Sequence, residues 1–282
     1  MSIYNKKLVK VLSLGAGNMA EALLFPMKGA FQEFHAFTPT GKRAKSLAQS
    51  MDGQSIDSLS MVPRDIDILF LAFKPQHYQD AVSDFLSASD WANWDKKPII
   101  VSMLAGTPIS VLEKSFGHKR VLRIMPNTPA KIGMGITLLL PGDDLGTEEI
   151  SLLENLFEMA GPIYSCRDED QFDALTAVTG SGPAYVFEFS RILESFLQEK
   201  GVEEKKAREL AVSLLVGSSN LMQESSLPLE ELRNNVTSKN GVTFAALESL
   251  KENDFGGSIK QALEKNIERS FELREVAYKM NS

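Results

Sequence analysis

The stretch LVKVLSLGAGNMA, residues 8–20, decides the fold. Residues 8–14 form a short apolar strand pattern that ends in Gly15-Ala16-Gly17-Asn18-Met19-Ala20, a fit to GxGxxA. In that pattern the first glycine permits a tight turn, the second leaves room for a pyrophosphate against the backbone, and the final small residue lets helix and strand pack closely. The helix that follows, expected over 19–29, points its N–H groups at the phosphates. Glycines also simply end strands, so the motif means little alone. Here it follows a strand, opens a helix and begins a strand–helix series, which is the context of a dinucleotide site.

Further strand patterns fall at 33–38, 67–73, 98–104, 120–126, 136–140 and about 162–166, with helices expected at 41–50 and 147–160. Continuous apolar runs separated by helical segments are typical of parallel strands buried on both faces. After Cys166 the strand signal stops, and 183–199, 203–223 and 258–279 read as helices. The expected fold class is α/β: an N-terminal Rossmann-like doubly wound domain over 1–165, then an all-helical domain over 166–282. Leu210, Leu214, Leu215 and Leu221 share one helical face, as do Ile259, Leu263, Ile267, Phe271 and Tyr278. Helices this apolar either cover the sheet or bury against a second copy of the chain; the second reading makes this a dimerisation domain.

Bulk composition excludes several classes. The 282 residues are 43% hydrophobic and 24% charged, an ordinary globular balance. A formal charge of -7 argues against a nucleic-acid surface, and no apolar run reaches the length of a membrane span. The lysine-bearing start lacks a small-residue cleavage site and reads as a strand, not a signal peptide. A single cysteine, Cys166, forms no intrachain disulfide, so the cytoplasm is the expected compartment.

Cofactor preference is read at the end of the second strand. An NAD site usually carries Asp or Glu there for the ribose 2′-OH. This chain has Thr38-Pro39-Thr40-Gly41-Lys42-Arg43, whose hydroxyls and cations suit a 2′-phosphate. NADPH is therefore expected, with NADH the less favoured alternative. Other strand ends should face the same crevice: Ala72-Phe73-Lys74-Pro75, Leu104-Ala105-Gly106, and Pro126-Asn127-Thr128-Pro129, in which Asn127 offers a donor and an acceptor.

No HExxH, CxxC or carboxylate cluster with metal-ligand spacing occurs, and no GxSxG elbow. His35, His77 and His118 lie in separate segments; His35 is expected to be packed, and His77 to touch solvent or cofactor. Cys166 has no activating neighbour in the sequence and is expected to be a buried inert thiol. Nicotinamide redox chemistry needs none of these groups.

The segment Asp173-Ala174-Leu175-Thr176-Ala177-Val178-Thr179-Gly180-Ser181-Gly182-Pro183-Ala184-Tyr185 resembles the GSGPAY signature region of the pyrroline-5-carboxylate reductases. GAGNMA at 15–20, FKPQ at 73–76, MPNTPA at 125–130 and VTSKNGVT at 236–243 fall in matching order, so the resemblance spans nearly the whole chain. It implies reduction of the C=N bond of 1-pyrroline-5-carboxylate by NAD(P)H to give L-proline, in a homodimer whose dimers assemble into larger rings. It further implies that GAGNMA holds phosphates, that Thr38 contacts the 2′ side, and that Ala72–Pro75 and Leu104–Gly106 flank the nicotinamide. Asn235 falls at a cofactor-contacting position. Glu169, Val242 and Thr243 match positions that contact a proline-like ligand, with Thr243 on the ring nitrogen.

The substrate loop of that family runs close to SPGGTT or SPGGAT; here Lys239 and Asn240 replace the proline and first glycine. Asn tolerates positive φ, so the turn can survive, while Lys239 removes a rigid element and adds a charge. The expected substrate cradle is the start of a helix near Val242, with Ser238, Gly241 and the Thr243 backbone around the carboxylate and Thr237 or Ser238 as helix cap. Two other classes fit the architecture: β-hydroxyacid dehydrogenases and imine reductases, which carry a Lys or Asp in the long helix, and a nucleotide sensor that kept the fold. The region 173–199 offers Glu188 and Glu194 but no lysine.

Overall fold

The computed structural model of the chain describes residues 9–280. Leu8, the first residue of the expected strand, and the lysine-bearing start lie outside the described residues. The chain packs as two compact units: residues through Ser181 together with those from Asn266 onward, and Gly182–Lys265.

The first unit is built on an eight-stranded sheet in the order β3-β2-β1-β4-β5-β6-β7-β8. Its strands are β1 (Val9–Leu14), β2 (Phe31–Phe37), β3 (Gln54–Ser55), β4 (Ile68–Leu71), β5 (Ile99–Ser102), β6 (Val121–Pro126), β7 (Thr137–Pro141) and β8 (Ile163–Ser165). β1 to β6 are parallel. The central strands show why the sequence reads as continuous apolar runs. In β4, Ile68 and Phe70 enter one buried cluster with Val9, Val11, Val101 and Phe157. Leu69 and Leu71 enter a second cluster with Leu12, Leu14, Phe85 and Ile100. Alternate side chains of one strand thus fill two cores, one on each face of the sheet.

β7 runs antiparallel to β6. Only residues 127–136 join the two strands, and they hold a 3-10 turn over Thr128–Ile132. A parallel return needs a crossover of a dozen or more residues, so this connection folds back instead.

Helices α1 (Asn18–Leu24), α2 (Lys42–Ser50), α3 (Tyr78–Ala88), α4 (Ile109–Phe116), α5 (Thr147–Phe157) and α6 (Glu169–Thr179) belong to the same unit. The helix expected over 19–29 ends at Leu24 and tightens into a 3-10 segment, Phe25–Ala30. Pro26 near its start has no N–H to continue the α-helical ladder. To the elements expected in this unit the structure adds helices α3, α4 and α6 and the two-residue β3.

The second unit contains α7 (Gly182–Glu199), α8 (Glu204–Glu224), α9 (Leu229–Asn235), α10 (Val242–Glu252) and the first part of α11 (Phe255–Met280). Its burial is sparse. In α8 only Ala207 and Ala211 are buried, whereas Leu210, Leu214 and Leu221 are exposed, as are Phe187, Phe189, Ile192 and Phe196 of α7. Apolar surface on this scale marks an interaction face.

Candidate active site

At the sheet's switch point, where β1 is flanked by β2 on one side and β4 on the other, the chain leaves β1 through Gly15. Gly15 has φ +102°, and a Cβ there would overlap the Ala72 carbonyl and stand 2.7 Å from Phe73 N. The Gly15 N–H donates to Phe37 O at 2.9 Å, and the Ala72 N–H donates to Leu14 O at 2.8 Å. Only glycine fits this crossing of three strand ends. α1 then opens at Gly17, which is extended (φ -77°, ψ 171°), and no described side chain caps it.

These strand ends border a cavity of about 610 Å³. Gly15, Ala16, Gly17, Asn18, Met19 and Ala20 form one wall; Thr38 and Arg43 another; Ala72, Phe73 and Lys74 a third. The Thr38 hydroxyl is buried without a hydrogen-bond partner among the described residues. A glycine cradle that a Cβ would fill, an uncapped helix start, and an orphaned hydroxyl and a guanidinium lining one cavity together fit a phosphate-bearing dinucleotide.

Other expected cofactor residues sit differently. Lys42 is exposed on the first turn of α2, and neither it nor Pro75 lines the cavity. β5 reaches the wall through Met103, one residue before Leu104-Ala105-Gly106. Asn127 is buried, and its carboxamide is engaged within the fold: its Nδ2 donates to Thr179 O at 2.9 Å and its Oδ1 accepts from Ile136 N at 2.8 Å. Asn235 ends α9 in the helical unit.

Leu59, His77, Ala81 and Asp84 also line the cavity. The last three lie at helical spacing from the N-cap of α3 onward, and the adjoining face, one residue further along at each position, buries Tyr78, Val82 and Phe85. That second spacing was the signal available for the helix. His35 is buried, in keeping with a packed residue. Cys166 is buried too, and burial pushes its thiol up to about 11, the state of an inert cysteine.

The second group of expected residues opens α10. Asn240 adopts φ +58°, so it does take the left-handed conformation that the family's glycine would supply. The Gly241 N–H donates to Ser238 O at 3.0 Å, and Ala245 N–H donates to Gly241 O at 3.1 Å, which starts the helix. A Cβ at Gly241 would overlap the Ser238 hydroxyl. The expected cap is not formed: Gly241 occupies the cap position, with no side-chain bond. Thr237 turns its hydroxyl back to Arg233 O at 2.7 Å, because it follows α9 closely enough to satisfy that helix's last carbonyls. Ser238 is exposed, Val242 is 89% exposed and Thr243 is half-buried.

Glu169, expected at the substrate, has both carboxylate oxygens engaged. One accepts from Ile109 N–H at 2.8 Å, and the other pairs with Arg123. Arg123 is 1% exposed, and its guanidinium lies 4.4 Å from the centre of the Phe172 ring. Burial pulls its pKa down to about 10 against the opposing pull of Asp173. Burial also raises the pKa of Asp173, with Arg123 and Arg274 opposing. For both groups the loss of water outweighs the pairing.

Comparison with known proteins bears on this arrangement. The family model described as pyrroline-5-carboxylate reductase dimerisation matches residues 169–273. One described as NADP oxidoreductase coenzyme F420-dependent matches residues 10–106. The pyrroline-5-carboxylate reductase of Pseudomonas aeruginosa is 31% identical over 94% of this chain and 97% of its own length. The 1-pyrroline-5-carboxylate reductase structure from Streptococcus pyogenes superposes with TM-score 0.83 at 25% identity, covering 94% of this chain and 99% of that one. A Plasmodium falciparum pyrroline carboxylate reductase, solved with NADP bound, shares the fold with TM-score 0.81 at 24% identity, over 94% of this chain and 98% of that one. A glycine cradle at the switch point, a helical unit with bare apolar faces and a full-length match at this identity give one conclusion: the chain belongs to the pyrroline-5-carboxylate reductase family.

Proposed function

We infer that this chain reduces the C=N bond of 1-pyrroline-5-carboxylate with NADPH, yielding L-proline, and works as a homodimer. Family membership along nearly the whole chain is the observation that carries this reading. The exposed apolar faces of α7 and α8 support the dimer, since a second copy of the unit would bury them. Assembly of dimers into a larger ring is a further proposal, resting on the family resemblance and tested by the mass of the native particle in solution.

Bound NADPH supplies the hydride for the imine carbon. The backbone of Gly15 to Ala20 is proposed to hold its pyrophosphate, with the Thr38 hydroxyl and Arg43 on the 2′-phosphate and Lys42 as a nearby charge. Ala72 to Pro75 and Leu104 to Gly106 are proposed to flank the nicotinamide, with Asn127 fixing the loop after β6 and Asn235 as an additional cofactor contact. NADH is the less favoured cofactor, because no carboxylate follows β2 to take a ribose 2′-OH.

The substrate is a small ring bearing a carboxylate and an imine. The uncapped start of α10 supports a carboxylate site there, formed by Ser238, Gly241 and the N–H groups of Val242 and Thr243. The Thr243 hydroxyl is proposed to hold the ring nitrogen. An alcohol is too weak an acid to protonate the imine alone, so the proton comes from solvent water or enters with a protonated imine. The chain's contribution is orientation.

The test is oxidation of NADPH by the purified protein with 1-pyrroline-5-carboxylate, with proline measured as product. Other cyclic imines and, in the reverse sense, β-hydroxy acids serve as comparisons. Turnover selective for 1-pyrroline-5-carboxylate supports the reading. NADPH binding without turnover of any of these compounds refutes it in favour of a sensor.

A further inference from the structure

The loop between β5 and α4, Leu104–Pro108, is gripped from two sides by residues distant in sequence. At its end, α4 begins after Pro108, whose side chain cannot cap a helix. The carboxylate of Glu169 supplies what is missing, accepting the Ile109 N–H at 2.8 Å. Its other oxygen is held by Arg123, buried on β6 and stacked over Phe172. In the middle of the loop, Gly106 has φ +67°, and a Cβ there would overlap the Leu273 side chain of α11 and stand 3.0 Å from its carbonyl carbon. Arg274, the next residue, pairs with Asp170 at 2.8 Å and with buried Asp173 at 3.4 Å, both on α6. The Ser270 hydroxyl reaches Asp173 at 3.5 Å. α6 therefore holds the loop directly through Glu169, and holds the helix segment that presses on Gly106.

We propose that Glu169, anchored by Arg123, is a positioning residue that fixes the Leu104–Pro108 loop, and with it the face offered to the nicotinamide ring. The inference rests on the reading above that this loop flanks the nicotinamide. It adds to the role implied by the family resemblance, in which Glu169 touches the substrate: the bonds to Ile109 and Arg123 use one acceptor site on each carboxylate oxygen, and through them Glu169 acts on the loop.

The test compares Glu169→Ala, Glu169→Gln and Leu273→Gly with the unaltered protein, by hydrogen exchange without cofactor and by kinetics. Exchange in the peptide covering 104–112 should quicken by about tenfold or more in Glu169→Ala and in Leu273→Gly, which removes the Leu273 Cβ that faces Gly106, with the α10 peptide unchanged. In Glu169→Ala kcat should fall by roughly 30-fold or more, since small misplacements at the reacting centre are costly, while the Kd for NADPH stays within about threefold. Glu169→Gln keeps an acceptor for Ile109 and should recover part of both effects. Should Glu169→Ala fail to fold, Leu273→Gly still probes the same loop without disturbing the buried charge. Unchanged loop exchange in both variants overturns the proposal. So does a fall in kcat for Glu169→Ala with wild-type exchange, which would leave Glu169 with direct substrate contact alone. Because exchange is read without substrate or cofactor, absence of imine reduction in the unaltered protein would defeat the functional reading and leave the loop result distinguishable.

Discussion

Gly15 and Ala72 meet so closely that a single methyl group on the first would overlap the main-chain oxygen of the second. The contact lies where β1 and β4 end side by side, and α1 begins at Asn18, three residues beyond Gly15. Gly15→Ala must therefore move the β4 end or the loop. A non-glycine residue at this φ costs roughly 1–3 kcal/mol before any overlap is counted. We expect NADPH affinity to fall at least about tenfold and the melting temperature to drop by several degrees. Fluorescence titration and a thermal melt read the two effects. Wild-type affinity in Gly15→Ala would show that the cradle is not the cofactor site.

Arg43 lines the cavity that also holds the orphaned Thr38 hydroxyl, and Lys74 lines it from the β4 end. Arg43→Ala should raise the KM for NADPH about tenfold, equivalent to about 1.4 kcal/mol, and leave that for NADH within about twofold. The readout is the ratio of kcat/KM for the two cofactors. Lys42→Ala should move this ratio less, because Lys42 is exposed and off the cavity wall. An unchanged ratio in Arg43→Ala would remove Arg43 from the 2′-phosphate.

Thr243 is proposed to hold the ring nitrogen. Thr243→Ala should lower kcat by roughly 10- to 100-fold with little change in NADPH affinity, while Thr243→Ser, which keeps the hydroxyl, recovers much of the loss. Steady-state kinetics with both substrates varied separates the effects. If alanine and serine behave alike, the hydroxyl has no part in turnover.

Cys166 is held as a neutral thiol by burial, its pKa moved from 9.0 up to about 11. The folded protein should resist a thiol-specific reagent at neutral pH and react fully only when unfolded. The linkage has a definite sign. The folded state keeps the thiol proton that the unfolded state loses above pH 9.0, so this group's contribution to stability declines as pH rises from 9.0 toward about 11. Rapid labelling of the native protein would contradict the burial.

What was legible in the sequence follows from how local each cause is. Ile68–Leu71 and Ile99–Ser102 announce doubly buried strands because every residue in them is apolar or small. The Gly15 turn is legible because only one residue type can make it. Helix α3 was legible in principle from Tyr78, Val82 and Phe85. So was α6, from the N-cap Asp168, whose carboxylate accepts the Gln171 N–H at 2.7 Å. The Arg123–Glu169 pair was not, since it joins residues 46 apart whose charges read separately as solvent-facing. Nor was the bond from Thr237 to Arg233 O, because a threonine between two helices can serve either one.

The most direct measurement is the rate of NADPH oxidation by the purified protein with 1-pyrroline-5-carboxylate, with stoichiometric proline as the product. The account predicts one proline per NADPH consumed, a preference for NADPH over NADH, and a lowered kcat in Thr243→Ala with cofactor binding intact. Tight NADPH binding with no proline formed would contradict it.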